Sequence, residues 1–124
     1  MQKIKNIYDL IETISVRTPM YVGEWNLSNV SSFLDGFTYS LYSEGEDRVN
    51  AFLSNFPGFY DWVASKYGFR SSTSGWRNMI LAVEMGVSPE EYNWKSFSVS
   101  ATEDQHKASV LKFFELVKEY KSSI

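Results

Sequence analysis

The sequence predicts an all-α fold, a compact single-domain bundle of about five helices joined by short irregular connections. Three observations predict it. Apolar residues recur at three- and four-residue steps in most of the chain. Residue patterns that start and stop helices bracket those runs. Only one short stretch alternates apolar and polar residues, and it has no second segment to pair with. At 124 residues the chain has the length of one domain and can bury a core without covalent staples. No internal repeat, low-complexity tract or linker divides residues 1–124.

Ile4, Ile7, Tyr8, Ile11 and Ile14 form the apolar side of a first helix, broadened by Leu10. Pro19 disfavours helical geometry at Thr18, so this helix stops by Val16 or Arg17. The connector Arg17-Thr18-Pro19-Met20-Tyr21-Val22-Gly23 is expected to tuck against the bundle, because a solvated loop has little reason to carry Met20, Tyr21 and Val22. Gly23 is free to take a positive φ and redirect the chain. Asn26 is the expected N-cap of a central helix whose stripe is Leu27, Val30, Leu34, Phe37 and Leu41, with Tyr39 off the stripe. Gly36, inside that helix, is expected where another helix crosses closely.

Ser43 to Arg48 reads as an exposed acidic turn. A short apolar segment, Val49 to Phe56, leads into Pro57-Gly58, and Phe59, Trp62, Val63 and Tyr67 outline the next helix, stopped by Gly68. Ser71 to Ser74 form a polar link. Trp76, Met79, Ile80 and Val83 mark a helix ending at Gly86. Ser88-Pro89-Glu90-Glu91 has the order of a capping box that opens a short helical turn, and Ser96 to Ser100 is expected to be extended loop. Thr102-Glu103-Asp104-Gln105 is a second capping box, opening a last helix that buries Val110, Phe113, Phe114 and Val117 and reaches Tyr120.

Composition narrows the function. The formal charge of -3 disfavours direct binding of nucleic acid, whose phosphates need a basic face, and fits a basic protein partner better. No run is long enough to span a bilayer, no export signal opens the chain, and the absence of Cys fits a reducing compartment, so the expected location is cytoplasmic. Four Trp, eight Tyr and nine Phe favour either a well-filled core or a contact face.

Chemistry is harder to find. His106 is the single histidine and has no partners at catalytic or metal-binding spacing. No phosphate loop, nucleophile elbow or metal motif is present, so the chain is expected to be no enzyme and to need no metal or cofactor. The carboxylate pairs Glu90-Glu91 and Glu103-Asp104 are explained by helix starts. Glu44, Glu46 and Asp47 lack that explanation and read either as a solvated turn or as a docking patch for a basic partner, with Glu24, Trp25 and Asp61 as further candidate partner-binding residues.

The connector with Arg17, Pro19, Met20, Tyr21 and Gly23, followed by Leu27 and the Phe33-Leu34-Asp35-Gly36-Phe37 segment, resembles a group of small bacterial proteins with the pattern R-P-x-M-Y-x-G and then F-L-x-G-[YF]. Phe59, Trp62, Val63, Trp76, Ile80, Phe113, Phe114, Leu116 and Tyr120 match their later aromatic sections. This chain has Arg-Thr-Pro where the group more often has Arg-Pro. Such proteins look like immunity proteins of bacterial toxin systems, including contact-dependent growth inhibition. The resemblance implies a cytoplasmic helical protein that neutralises one cognate toxin, often a basic nuclease domain, by covering it. It carries over no catalytic residues. Two other readings are a regulatory or scaffold module on a different partner, and an enzyme in which His106 meets a carboxylate in a pocket.

Overall fold

The computed structural model describes residues 3–69, 75–89 and 100–124. Among them there is no strand, and the elements are α1 (Ile7–Val16), α2 (Thr18–Val22), α3 (Leu27–Ser40), a 3-10 turn η1 (Leu41–Glu44), α4 (Glu46–Leu53), a second 3-10 turn η2 (Phe56–Gly58), α5 (Phe59–Tyr67), α6 (Gly75–Glu84) and α7 (Glu103–Ser123). The expected all-α architecture is present, with seven α-helices among the described residues where about five were expected. The extra helices come from the two stretches read as turns. Glu90 and Glu91 of the expected helical turn, Trp94, Ser96 to Val99 of the alternating stretch and the Ser71 to Ser74 link lie outside the described residues.

α7 is the axis of the bundle: at 21 residues it is about 31 Å long, and α1, α3, α5 and α6 all pack on it. Its start is fixed by reciprocal bonds, Gln105 N–H donating to Thr102 Oγ1 at 3.1 Å and Thr102 N–H donating to Gln105 Oε1 at 2.9 Å. Val110, Phe113, Phe114, Leu116, Val117 and Tyr120 form its buried side. α1 also opens on a capping box, with Asn6 and Asp9 in the two roles.

The connector corrects one expectation in detail. Thr18 is helical, beginning α2, and Pro19 sits in the first turn, where its missing N–H costs nothing. With a period of 3.6 the inward positions are Thr18, Tyr21 and Val22, while Met20 points outward and is 64% exposed. Met20 is thus no buried anchor, and Arg17 and Pro19 are exposed with it. Thr18 is buried because its hydroxyl donates to the Ile14 carbonyl at 3.0 Å. Tyr21 sets its ring edge against Phe33, and Asn29 Nδ2 donates to the Val22 carbonyl at 2.9 Å, tying the turn at Gly23 (φ 90°) to α3. Gly36 is the second correction. It is exposed, and a Cβ built there meets nothing within 4 Å, so no helix among the described residues crosses it.

The core is aromatic at its centre. Phe59, fully buried, stacks on Phe56 and Trp62 and meets Trp76, Phe113 and Tyr120 edge-on, all at centroid distances of 5.2–5.9 Å. Trp76 stacks on Phe113 at 4.5 Å. These contacts join η2, α5, α6 and α7, and such pairs add about 0.5–1.5 kcal/mol each beyond the area they bury. A polar clasp closes one end: Tyr8 Oη donates to Asn55 Oδ1 and Tyr120 Oη donates to the Asn55 carbonyl at 2.6 Å. Burial, and to a smaller degree the neighbouring Tyr120, pushes the Tyr8 phenol up to about 12. No helix among the described residues is long and apolar enough to cross a membrane.

Candidate partner-binding surface

α3 ends where its stripe runs out. Leu41 still turns inward, but Tyr39 and Tyr42 lie off the stripe and are 77% and 54% exposed. Three residues apart, they share one side of the helix end, with ring centroids 6.1 Å apart. Two neighbouring tyrosines left in water stand out in a chain whose other described rings are all buried or half-buried. Gly45, at φ 104°, then reverses the chain, which only glycine does without strain. Glu44, Glu46 and Asp47 flank that glycine, all exposed.

The acidic residues are helical where an irregular turn was expected. Glu46 and Asp47 occupy the first turn of α4, where negative side chains complement the helix dipole. This supplies the structural explanation that the sequence lacked, and it leaves both carboxylates in solvent. The adjacent cation turns away. Arg48 Nη1 donates to the Lys5 carbonyl at 3.4 Å, and its guanidinium lies 5.9 Å from the Phe52 ring centroid. Two exposed rings and three exposed carboxylates thus lie close together in the chain, between Tyr39 and Asp47, at the end of α3 and the start of α4.

The other candidates stand elsewhere. Glu24 and Trp25 precede α3, and the helix between them and Glu44 is 14 residues, about 21 Å, long. Trp25 is half-buried against the core, with Lys107 Nζ 5.1 Å from its ring centroid. Asp61 is exposed in the first turn of α5, which packs on η2, α6 and α7. The six residues thus fall in three places, of which the end of α3 gathers three. Tyr39 and Tyr42, exposed at the end of α3, are not among the residues that the sequence singled out as candidates. Their signal is aromatic residues off an apolar stripe, directly before an acidic run.

Glu24 and Trp25 line a cleft of about 430 Å³ with Glu103, Asp104, His106 and Lys107. His106 is therefore half-buried beside carboxylates, as an enzymatic reading requires. Among the described residues no carboxylate is hydrogen-bonded to its ring. Among the same residues no group of three His, Asp or Glu side chains is placed to hold a metal. No protein-family model, curated protein or solved structure matches the chain, so its reading rests on residues and geometry.

Proposed function

We propose that this chain is a cytoplasmic binding protein of the immunity type, which neutralises a basic protein toxin, in the first place a nuclease domain, by covering it without turnover. The observation that carries the reading is the pairing of exposed Tyr39 and Tyr42 with Glu44, Glu46 and Asp47. Tyrosine supplies large contact area at small entropic cost and is enriched among the residues that dominate interfaces. A nuclease cleft is basic because it attracts phosphate, and an acidic face competes for the same field. Steering brings the two together, and the rings hold the complex once formed.

The test is co-expression with a tagged toxin domain encoded beside the chain's gene. The expected result is a co-purified complex of equal stoichiometry and loss of nuclease activity within it. Replacing Tyr39 and Tyr42 by Ala should raise the dissociation rate while the circular dichroism stays unchanged, since both rings are outside the core. A neighbouring toxin that is neither bound nor inhibited would overturn the immunity reading. Purification with a different basic protein would move the same face to the regulatory or scaffold class.

A further inference from the structure

A surface cavity of about 290 Å³ lies between α3, η2, α5 and the start of α6. Leu53, Phe56, Tyr60 and Trp76 give it an apolar wall rich in rings. Its polar side chains come from α3. Thr38 Oγ1 donates to the Leu34 carbonyl at 2.7 Å, and Ser31 Oγ accepts from Arg77 Nη1 at 3.5 Å, so both are engaged. Asp35 is exposed and takes part in no ion pair among the described residues. Among those residues it is the one charged side chain lining the cavity, and Arg77, bonded one turn away at Ser31, does not neutralise it.

A carboxylate beside a wall of rings selects its guest. An acidic side chain would meet a like charge, and a purely apolar one would cover the carboxylate without pairing it, which is costly. A cation satisfies both features. Arginine does so better than lysine, because its planar guanidinium can lie against a ring and still direct N–H groups at a carboxylate, while its carbon stem covers apolar wall. The cavity also adjoins the exposed tyrosines. Asp35 and Tyr39 are four residues apart in α3 and so share one side of it, about 6 Å apart along the axis, and Tyr39 in turn neighbours Tyr42.

We infer that this cavity is the anchor pocket for an arginine side chain of a basic protein partner, with the guanidinium paired to Asp35 and laid against the ring wall. The inference rests on the reading of this chain as a binder of a basic protein, and adds to it the side chain that is held. A partner resting on Tyr39 and Tyr42 has Asp35 within reach of one long side chain. Arginine, tyrosine and tryptophan are also the residues that most often dominate interfaces.

The pocket is tested without a partner by titrating acetyl-arginine methylamide into the isotope-labelled full chain and following the Trp76 indole N–H and the Asp35 and Thr38 amides by NMR. Saturable shifts at these positions are expected in the millimolar range, whereas the uncharged isostere acetyl-citrulline methylamide should leave them in place. Asp35→Asn should weaken arginine binding about tenfold, the effect of losing one charge-assisted pair, and should keep the helical signal because Asp35 is exposed. Glu12→Gln, on α1 and outside the cavity, should bind as the unaltered chain does. Absence of saturable shifts, equal shifts with citrulline, or indifference to Asp35→Asn would overturn the inference. With the co-purified toxin domain, Asp35→Asn should raise the dissociation constant about tenfold as well. A toxin held equally by both chains would overturn the pocket and leave the immunity reading standing. A pocket that takes the arginine probe in a chain that binds no neighbouring toxin would keep the pocket, assign it to another basic protein, and remove the immunity reading.

Discussion

Gly36 and Gly58 both lie next to aromatic residues, and the packing gives them opposite meanings. Gly36 is exposed inside α3 with open space where a Cβ would stand, so Gly36→Ala should stabilise the protein by about 1 kcal/mol through helix propensity and a less flexible unfolded chain. Gly58 has ordinary helical angles, but a Cβ there would lie 2.5 Å from Tyr120 Oη. Tyr120 is buried and bonded to the Asn55 carbonyl, so Gly58→Ala must displace a satisfied hydroxyl and should cost about 1–3 kcal/mol. Thermal melts of the two variants should shift in opposite directions. Tyr8, at the same clasp, adds a pH dependence. Its folded pKa of about 12 lies above the ordinary value of 10.0, so the folded state holds the proton more tightly. Its contribution is complete below pH 10 and is lost as the pH rises toward about 12, with a slope of at most about 1.4 kcal/mol per pH unit. Denaturant titrations across this window should show the loss, and Tyr8→Phe should flatten it.

Among the elements, α7 depends most on how it begins. Four other helices pack on it, and its first turn holds Glu103 and Asp104 beside the cleft at Trp25. Thr102→Ala removes the oxygen that accepts from Gln105 N–H and should cost about 1 kcal/mol. Amide exchange should quicken first at Gln105 and His106, while the amides of the aromatic-packed centre keep their protection. α1 is capped by the same reciprocal logic in different residues, Asn6 Oδ1 accepting from Asp9 N–H at 3.1 Å and Asp9 Oδ2 accepting from Asn6 N–H at 3.3 Å. That box is shorter in reach than the Thr/Gln one, and a search confined to Ser or Thr followed by Glu or Gln passes over it. By contrast, the surface pair Lys66–Glu119, at 2.7 Å, raises the lysine pKa through its hydrogen bond and contributes little to the fold, because both partners remain in solvent.

At the scale of the molecule, the rings divide between two jobs. Phe59 and its neighbours consolidate η2, α5, α6 and α7 into one interior, whereas Tyr39 and Tyr42 stay outside beside the acidic start of α4. The net charge of -3 is modest, so any steering must come from its local concentration at this face. Reversing Glu44, Glu46 and Asp47 together to Lys should lower the association rate with a basic partner by about tenfold or more at low salt, and should largely remove the salt dependence. Stopped-flow association at several ionic strengths measures both. Reversing Glu24 and Asp61 instead, about a helix length away or on another helix, should leave the rate nearly unchanged. Equal effects from the two sets would place recognition outside the α3 end.

Local periodicity and punctuation determined the helical class, the stop near Val16, the Asn26 and Thr102 caps, and the ends at Gly68 and Gly86. All of these depend on neighbours within about four residues, and such interactions are present in the sequence itself. Local rules also misread two places, taking Arg17 to Gly23 and Ser43 to Arg48 for irregular turns. Those short helices are stabilised by contacts with α1, α3 and η1 more than by their own propensity. Only the tertiary structure decided that Gly36 faces solvent, that Met20 points outward, and that Tyr39 and Tyr42 stay exposed directly before the acids. Each of these is a matter of which side of a helix finds a neighbour, and that is set by residues dozens of positions away.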